Sequence, residues 1–154
     1  MRRPFVAVKG LLLCAAALTL MGCSQIFQSE DETAAQMYEF GYRLQNGIDC
    51  EPNPEEAVKW YRKAAERGDE WGQYSLCECL FCGEGCEKDP WESVKWGLKS
   101  AKQGNQFAQF AMGHCLANGI GCKRNLKEAV KWYRKSAKQG NEDAEAALQR
   151  LEQE

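Results

Sequence analysis

The chain repeats itself every 36 residues, and this period narrows the possible folds more than any other feature. Trp60, Trp96 and Trp132 occupy one column of the repeat. Gly68, Gly104 and Gly140 occupy a second, and Leu44, Leu80 and Leu116 a third. Self-similarity at periods of roughly 20–50 residues marks stacked-repeat architectures, in which a single unit cannot hide its apolar face and must pack on its copies. The units run over 34–69, 70–105 and 106–141, and 142–154 begins a fourth unit and stops.

Each unit reads as two helices joined by a glycine-containing turn. In the third, the first helix is expected over Phe107–Asn118, with Phe110, Met112 and Leu116 as its apolar contacts and Gly113 allowing close helix approach. Gly119 and Gly121 give the backbone freedom that ends it. Asn125 is the expected N-cap of the second helix, with Glu128 three residues on as in a capping box. Ala129, Trp132, Tyr133 and Ala137 form a buried stripe on that helix, and Gly140 is expected to close it as a C-cap. Units one and two start their second helices with Asn53-Pro54 and Asp89-Pro90, a cap followed by proline at the first helical position. Ala144, Ala147, Leu148 and Leu151 lie on one side of a last helix, expected from Asp143 to about Glu152, which would cap the stack.

Gly-x-Gly, then a capping residue, then Ala-Val-Lys-Trp-Tyr-Arg-Lys-x-Ala and Gly-Asn or Gly-Asp resembles the Sel1-like repeat, a relative of the tetratricopeptide repeat. The resemblance covers 34–141 and implies an all-α fold, a right-handed α-solenoid of three helix-turn-helix repeats plus a C-terminal capping helix. Unit two departs most. It has Cys77 where the others have Gly41 and Gly113, Ser93 for Ala57 and Ala129, and Gly97 for Tyr61 and Tyr133. These changes bear on its internal packing, not its fold. Unit one has Asp49 in place of the second turn glycine.

The N-terminus reads as a targeting segment. Arg2, Arg3 and Lys9 precede an apolar run, Leu11–Leu20, that is too short to span a membrane comfortably. Leu20-Met21-Gly22-Cys23 resembles the bacterial lipobox. That implies a signal peptide over 1–22, lipidation at Cys23 and a polar tether over 23–33, in a bacterial cell-envelope protein anchored by its lipid. Ser24 in place of aspartate leans the expectation to the outer membrane, facing the periplasm or the surface. Of 20 basic residues three fall in 1–22, against none of the 22 acidic ones, so the remainder is net −5. No basic surplus is left to neutralise phosphates, and nucleic acid is not an expected partner.

Seven cysteines follow Cys23, and in an exported chain such thiols normally oxidise. Cys79 and Cys86 occupy the same two columns as Cys115 and Cys122. One member is late in the first helix and the other just past the turn, so the chain reverses between them; the expected bridges are Cys79–Cys86 and Cys115–Cys122. The arrangement is similar to that of the cysteine-rich Sel1-like proteins of Helicobacter, where the spacing is one residue longer. Cys50 has Arg43 in the partner column, and Cys77 and Cys82 are additional. A Cys50–Cys82 bridge would join neighbouring turns and a Cys77–Cys82 bridge would be local; seven is odd, so one thiol is left over or bonds another chain. Four cysteines between Cys77 and Cys86 invite a metal or iron–sulfur site, but Cys79 and Cys86 recur in unit three without the other two. Neither metal nor cofactor is expected.

No catalytic constellation emerges. His114 is the one histidine, and Ser-x-x-Lys is absent. That matters because some Helicobacter relatives are described as penicillin-binding or β-lactamase proteins; a cell-wall or β-lactam-acting enzyme is the alternative reading, a purely structural envelope component a third. The leading expectation is a scaffold that holds a protein or peptide. In related solenoids the first helices line an inner groove. The non-core columns there hold Glu39 and Tyr42, then Trp71, Ser75, Glu78 and Phe81, then Phe107, Ala111 and His114. Aromatic rings among scattered polar groups suit the gripping of a peptide. The plainer alternative is that Trp71 and Phe107 only pack between adjacent units and that His114 is ordinary surface.

Overall fold

The computed structural model describes residues 33–152. The expected signal peptide, Cys23 and nearly all of the tether lie outside them. Among the described residues there are seven helices: α1 (Ala34–Asn46), α2 (Pro54–Glu66), α3 (Glu70–Cys82), α4 (Pro90–Gln103), α5 (Gln106–Asn118), α6 (Leu126–Ala137) and α7 (Glu142–Leu151). They pair as α1/α2, α3/α4 and α5/α6, each hairpin packs on the next, and α7 closes the stack on α6. The fold is therefore an all-α solenoid of three hairpins and a capping helix.

Local chemistry sets the helix limits. Asn53, Asp69, Asp89, Asn105, Asn125 and Asn141 each accept a backbone N–H from the first turn that follows. Thr33 and Gln36 form a full capping box at α1. At α6, Asn125 accepts the Glu128 amide at 3.1 Å, while the Glu128 carboxylate accepts from Lys131 Nζ at 2.8 Å. First helices end at left-handed Gly47, Gly83 and Gly119. Of the three glycines that follow second helices, only Gly104 is itself the C-cap; α2 and α6 end at Arg67 and Lys138, and Gly68 and Gly140 come after at φ 92° and 88°. So Gly140 permits the turn into the next unit and does not cap α6.

The second glycine of the turn has another task. A Cβ on Gly85 would stand 2.3 Å from the Pro54 carbonyl oxygen, and one on Gly121 2.0 Å from that of Pro90. Each turn is thus seated against the first residue of the preceding unit's second helix. Asp49 takes the same left-handed conformation, φ 59°, and among the described residues its turn has no preceding hairpin against it, so a side chain fits. That side chain pairs with Arg43.

The core is continuous across units. Ala101, Ala108, Met112 and Trp132 are buried together, with Tyr74, Val94, Leu98 and Leu116 packed against them. Ala129, Tyr133, Ala144 and Ala147 continue it to α7, joined by Leu148 and Leu151. A polar seam repeats inside. Gln103 Nε2 donates to Gly68 O (2.9 Å) and Gln73 Oε1 (2.9 Å); Gln139 Nε2 donates to Gly104 O (2.8 Å) and Gln109 Oε1 (2.9 Å). Ser100 and Ser136 hydroxyls donate to the Glu70 and Gln106 carbonyls, both at 2.7 Å. These bonds tie each second helix to the preceding turn and to its own first helix while satisfying buried groups.

Unit two keeps its packing through a coupled exchange. Gly41 and Gly113 lie under the rings of Tyr61 and Tyr133, where a Cβ would come within 2.8 Å and 2.6 Å. At the equivalent place Cys77 meets Gly97, with a Cβ on Gly97 only 2.8 Å from Cys77 Sγ. Ser93 Oγ donates to Cys77 O at 2.8 Å and lies 3.3 Å from Cys77 Sγ. The three departures read from the sequence are one linked replacement.

Candidate functional site

The first helices gather on one side of the stack. α1 touches α3 directly, and a cavity of about 350 Å³ is lined only by residues of α3, α5 and the start of α7. The groove residues expected from the sequence all reach this side's accessible surface. Glu39, Tyr42, Trp71, Glu78, Phe107 and His114 are exposed, and Ser75, Phe81 and Ala111 are half-buried. Of these, Glu78, Phe81, Phe107, Ala111 and His114 meet in the cavity wall, while Tyr42 and Trp71 belong to the ring series beside it.

That series is continuous. Tyr38 lies 6.2 Å from Tyr42 and 6.3 Å from Trp71, centroid to centroid; Trp71 is 5.9 Å from Phe107, and Tyr74 is 5.9 Å from Phe107. Such spacings are those of interacting aromatic pairs. Trp71 and Phe107 therefore do pack between adjacent units, yet remain 39% and 40% exposed, and Tyr42 43%. The packing reading of these rings holds, and each also keeps a solvent-facing part. Tyr38 and Tyr74 belong to the series and escaped the sequence reading. Their signal was present, since 38, 74 and 110 form a column that is aromatic in every unit.

Charge is distributed unevenly. α3 and α5 contain Glu70 and Glu78 and neither lysine nor arginine. Most of the described lysines sit on second helices, where Lys63, Lys99 and Lys135 lie 3.8, 3.7 and 4.1 Å above the rings of Trp60, Trp96 and Trp132. Burial and the hydrogen bond to Glu78 hold the Tyr74 phenol well above its usual range. His114 accepts the Asn118 side-chain amide on its carbonyl at 2.9 Å.

The cysteine columns adjoin. In unit one, Cys50 Sγ lies 3.8 Å from the Arg43 carbonyl oxygen. Burial first, helped by the neighbouring Cys86 at Cys79 and by Cys77 and Cys122 at Cys115, pushes both thiols up to about 12. Cys77 is raised to about 11, by burial first. The structure carries Cys77, Cys79, Cys82, Cys86, Cys115 and Cys122 as thiols. Cys82 is exposed, and among the described residues no group of three or more His, Cys, Asp or Glu converges as a metal site would require.

Two-helix units stacked in register, with aromatic first helices on one side, define a tetratricopeptide-like repeat scaffold. The Sel1 repeat model matches residues 35–69, 72–105 and 106–141, and the chain belongs to the Sel1 repeat family. Among solved structures it is similar to a Sel1 repeat protein from Oxalobacter formigenes, with 38% identity and TM-score 0.73, over 75% of this chain and 46% of that one. It is similar to a protective antigen of uropathogenic Escherichia coli strains displaying an SLR fold, with 37% identity and TM-score 0.77, over 79% of this chain and 26% of that one. It thus spans less than half the length of both. Helicobacter pylori cysteine rich protein B shares the fold, at 23% identity and TM-score 0.64, over 75% of this chain and 89% of that one. No curated protein matches the chain.

Proposed function

We propose that this chain is a lipid-anchored scaffold of the bacterial envelope that holds a segment of another protein in its first-helix groove and catalyses no reaction. The observation that carries the reading is the exposed ring series Tyr42–Tyr38–Trp71–Phe107, which spans all three units on one side of the solenoid. Rigid aromatic surface, flanked by carboxylates and braced by the stack, binds at low entropic cost. The order of basic segment, apolar run and Leu20-Met21-Gly22-Cys23 supports a lipid on Cys23 and an outer-membrane address. The adjoining columns support Cys79–Cys86 and Cys115–Cys122 bridges in the mature protein, with Cys50, Cys77 and Cys82 left for a further bridge and one thiol over.

Crosslinking in intact cells followed by pull-down tests the groove. Trp71→Ala and Tyr42→Ala are expected to weaken capture while the domain stays helical by circular dichroism; unchanged capture counts against the reading. Sustained turnover of a chromogenic β-lactam by the purified protein would overturn it. Labelled-palmitate incorporation that is lost in Cys23→Ser tests the anchor, and peptide mapping without reductant tests the bridges.

A further inference from the structure

The cavity beside the ring series is walled by the repeat counterparts of the residues that surround a tyrosine in unit one, while Cys77 and Met112 fill the space next to Gly97 itself. In unit one Tyr61 is fully buried, its ring 6.0 Å from that of Tyr38, its hydroxyl donating to Gln45 Oε1 at 2.6 Å and hydrogen-bonded to Ser75. In unit three Tyr133 lies 5.7 Å from Phe110. Unit two has Gly97 there, and Tyr74 turns to Phe107 of the next unit for a ring neighbour. Carried forward one repeat, the surroundings of Tyr61 become Tyr74, Cys77, Phe81, Ala111 and Cys115. All five line the cavity. The two residues that bond the Tyr61 hydroxyl, Gln45 and Ser75, are replaced there by Phe81 and Ala111. The two positions that bond the phenol in unit one are apolar here, so the part of the cavity between Phe81 and Ala111 matches a phenyl group, and the polar lining is left to Glu78, His114, Asn141 and Asp143. Its rim carries Glu78 and Asp143, and α3 and α5 supply no cation to balance them.

We infer that this cavity accepts the phenylalanine side chain of a bound peptide whose flanking residues are lysine or arginine. The guest ring packs against Tyr74 between Phe81 and Ala111, and the flanking cations face Glu78 and Asp143. The inference rests on the groove reading above and names what the groove selects.

The test uses the full chain, isotope-labelled in detergent, titrated with acetyl-Lys-Phe-Lys-amide and followed by amide chemical shifts. Shifts are expected at Cys77, Ala111 and Cys115. Acetyl-Lys-Ala-Lys-amide should bind more than about tenfold more weakly, the effect of withdrawing a buried phenyl, and acetyl-Glu-Phe-Glu-amide should also bind more weakly. Cys77→Gly/Ser93→Ala/Gly97→Tyr restores the pattern of the other units, fills the cavity and should abolish the shifts. Ala111→Phe narrows the opening without altering α4 and should do the same if the triple variant does not fold. Equal binding of the Phe and Ala peptides, shifts located elsewhere, or unchanged binding in a folded cavity-filled variant overturns the inference. Tighter or equal binding of the acidic peptide overturns its charge component. If Trp71→Ala abolishes cellular capture while cavity filling leaves it intact, the groove stands and the cavity assignment falls; if Trp71→Ala has no effect on capture, the groove reading itself fails.

Discussion

Gly121 and Gly140 make a controlled pair for testing how the hairpins are held together. Both are left-handed, at φ 63° and 88°. Replacing either with alanine forces an L-residue into that region, which costs roughly 1–2 kcal/mol, less a few tenths recovered because alanine restricts the unfolded chain. Nothing lies within 4 Å of a Cβ on Gly140, so strain is the whole of its effect. A Cβ on Gly121 falls 2.0 Å from Pro90 O and 2.5 Å from Pro90 C, both backbone atoms at the start of α4 that no rotamer change can move aside. The turn must retreat from α4, adding about 1–3 kcal/mol of overpacking and lost contact. Gly140→Ala is therefore expected to cost about 1–2 kcal/mol and Gly121→Ala about 2–5 kcal/mol. The difference is a large part of the stability of a domain this size.

Urea unfolding followed by far-ultraviolet circular dichroism, in reductant so that bridges do not confuse the reference state, measures both. Equivalent m-values would license the comparison. Gly85→Ala, with a Cβ 2.3 Å from Pro54 O, should follow Gly121→Ala. Equal losses for Gly121→Ala and Gly140→Ala, within about 0.5 kcal/mol, would refute the claim that turn-on-helix seating holds successive units together.

Three further outcomes are expected. In the reduced protein, iodoacetamide should label exposed Cys82 before Cys77, Cys79 and Cys115, whose burial holds them as neutral thiols; equal rates would contradict that burial. The Arg62 guanidinium, bonded to Glu92 at 2.5 and 3.3 Å, holds the Glu92 carboxyl below its ordinary value near 4.5. That contribution is present above the ordinary value and lost as pH falls through the folded one, so Glu92→Gln should lower stability at neutral pH by about 0.5 kcal/mol and flatten the acid limb of a stability–pH curve. Gln139→Ala removes two bonds and takes the donor from Gln109 Oε1, whose Nε2 keeps its bond to Ala101 O, for a loss of about 1–2 kcal/mol in the same urea assay; a loss under about 0.3 kcal/mol would show that the polar seam is idle.

The parts of this fold legible in the sequence were those governed by neighbours along the chain. The 36-residue period, the Asn and Asp caps, Pro54 and Pro90, and the Ala–Trp–Tyr stripes each report a local preference, and each reappears in the helices. What stayed hidden depends on the next unit. Gly121 reads as freedom to end a helix, but its tightest constraint is the approach of Pro90, 31 positions earlier. Gln73, Gln103, Gln109 and Gln139 recur in register and so were available as a signal, yet a glutamine column looks like surface until its partner carbonyl is seen beneath it. The residues expected to line a groove do lie at the accessible surface of the first helices, but the cavity among five of them was not foreseen. The rings were legible one at a time, whereas the cavity needs α3, α5 and the start of α7 to be placed together.

Unit two shows why a repeat scaffold tolerates the loss of a buried ring. In a globular core the exchange of Tyr for Gly at a buried position would remove a ring from every layer it touches, at several kcal/mol. In a solenoid each unit contacts only its neighbours, so the loss is confined to the space between α3 and α5. There Cys77 and Met112 pack on Gly97, Ser93 bonds the Cys77 carbonyl, and the glutamine and serine seam continues unbroken on the far side. The Arg62–Glu92 pair joins α2 to α4 independently of the missing ring. Because these ties do not pass through the groove, the inner face of a unit is free to diverge while the stack endures. The middle unit, flanked on both sides, is the one whose losses its neighbours can best absorb.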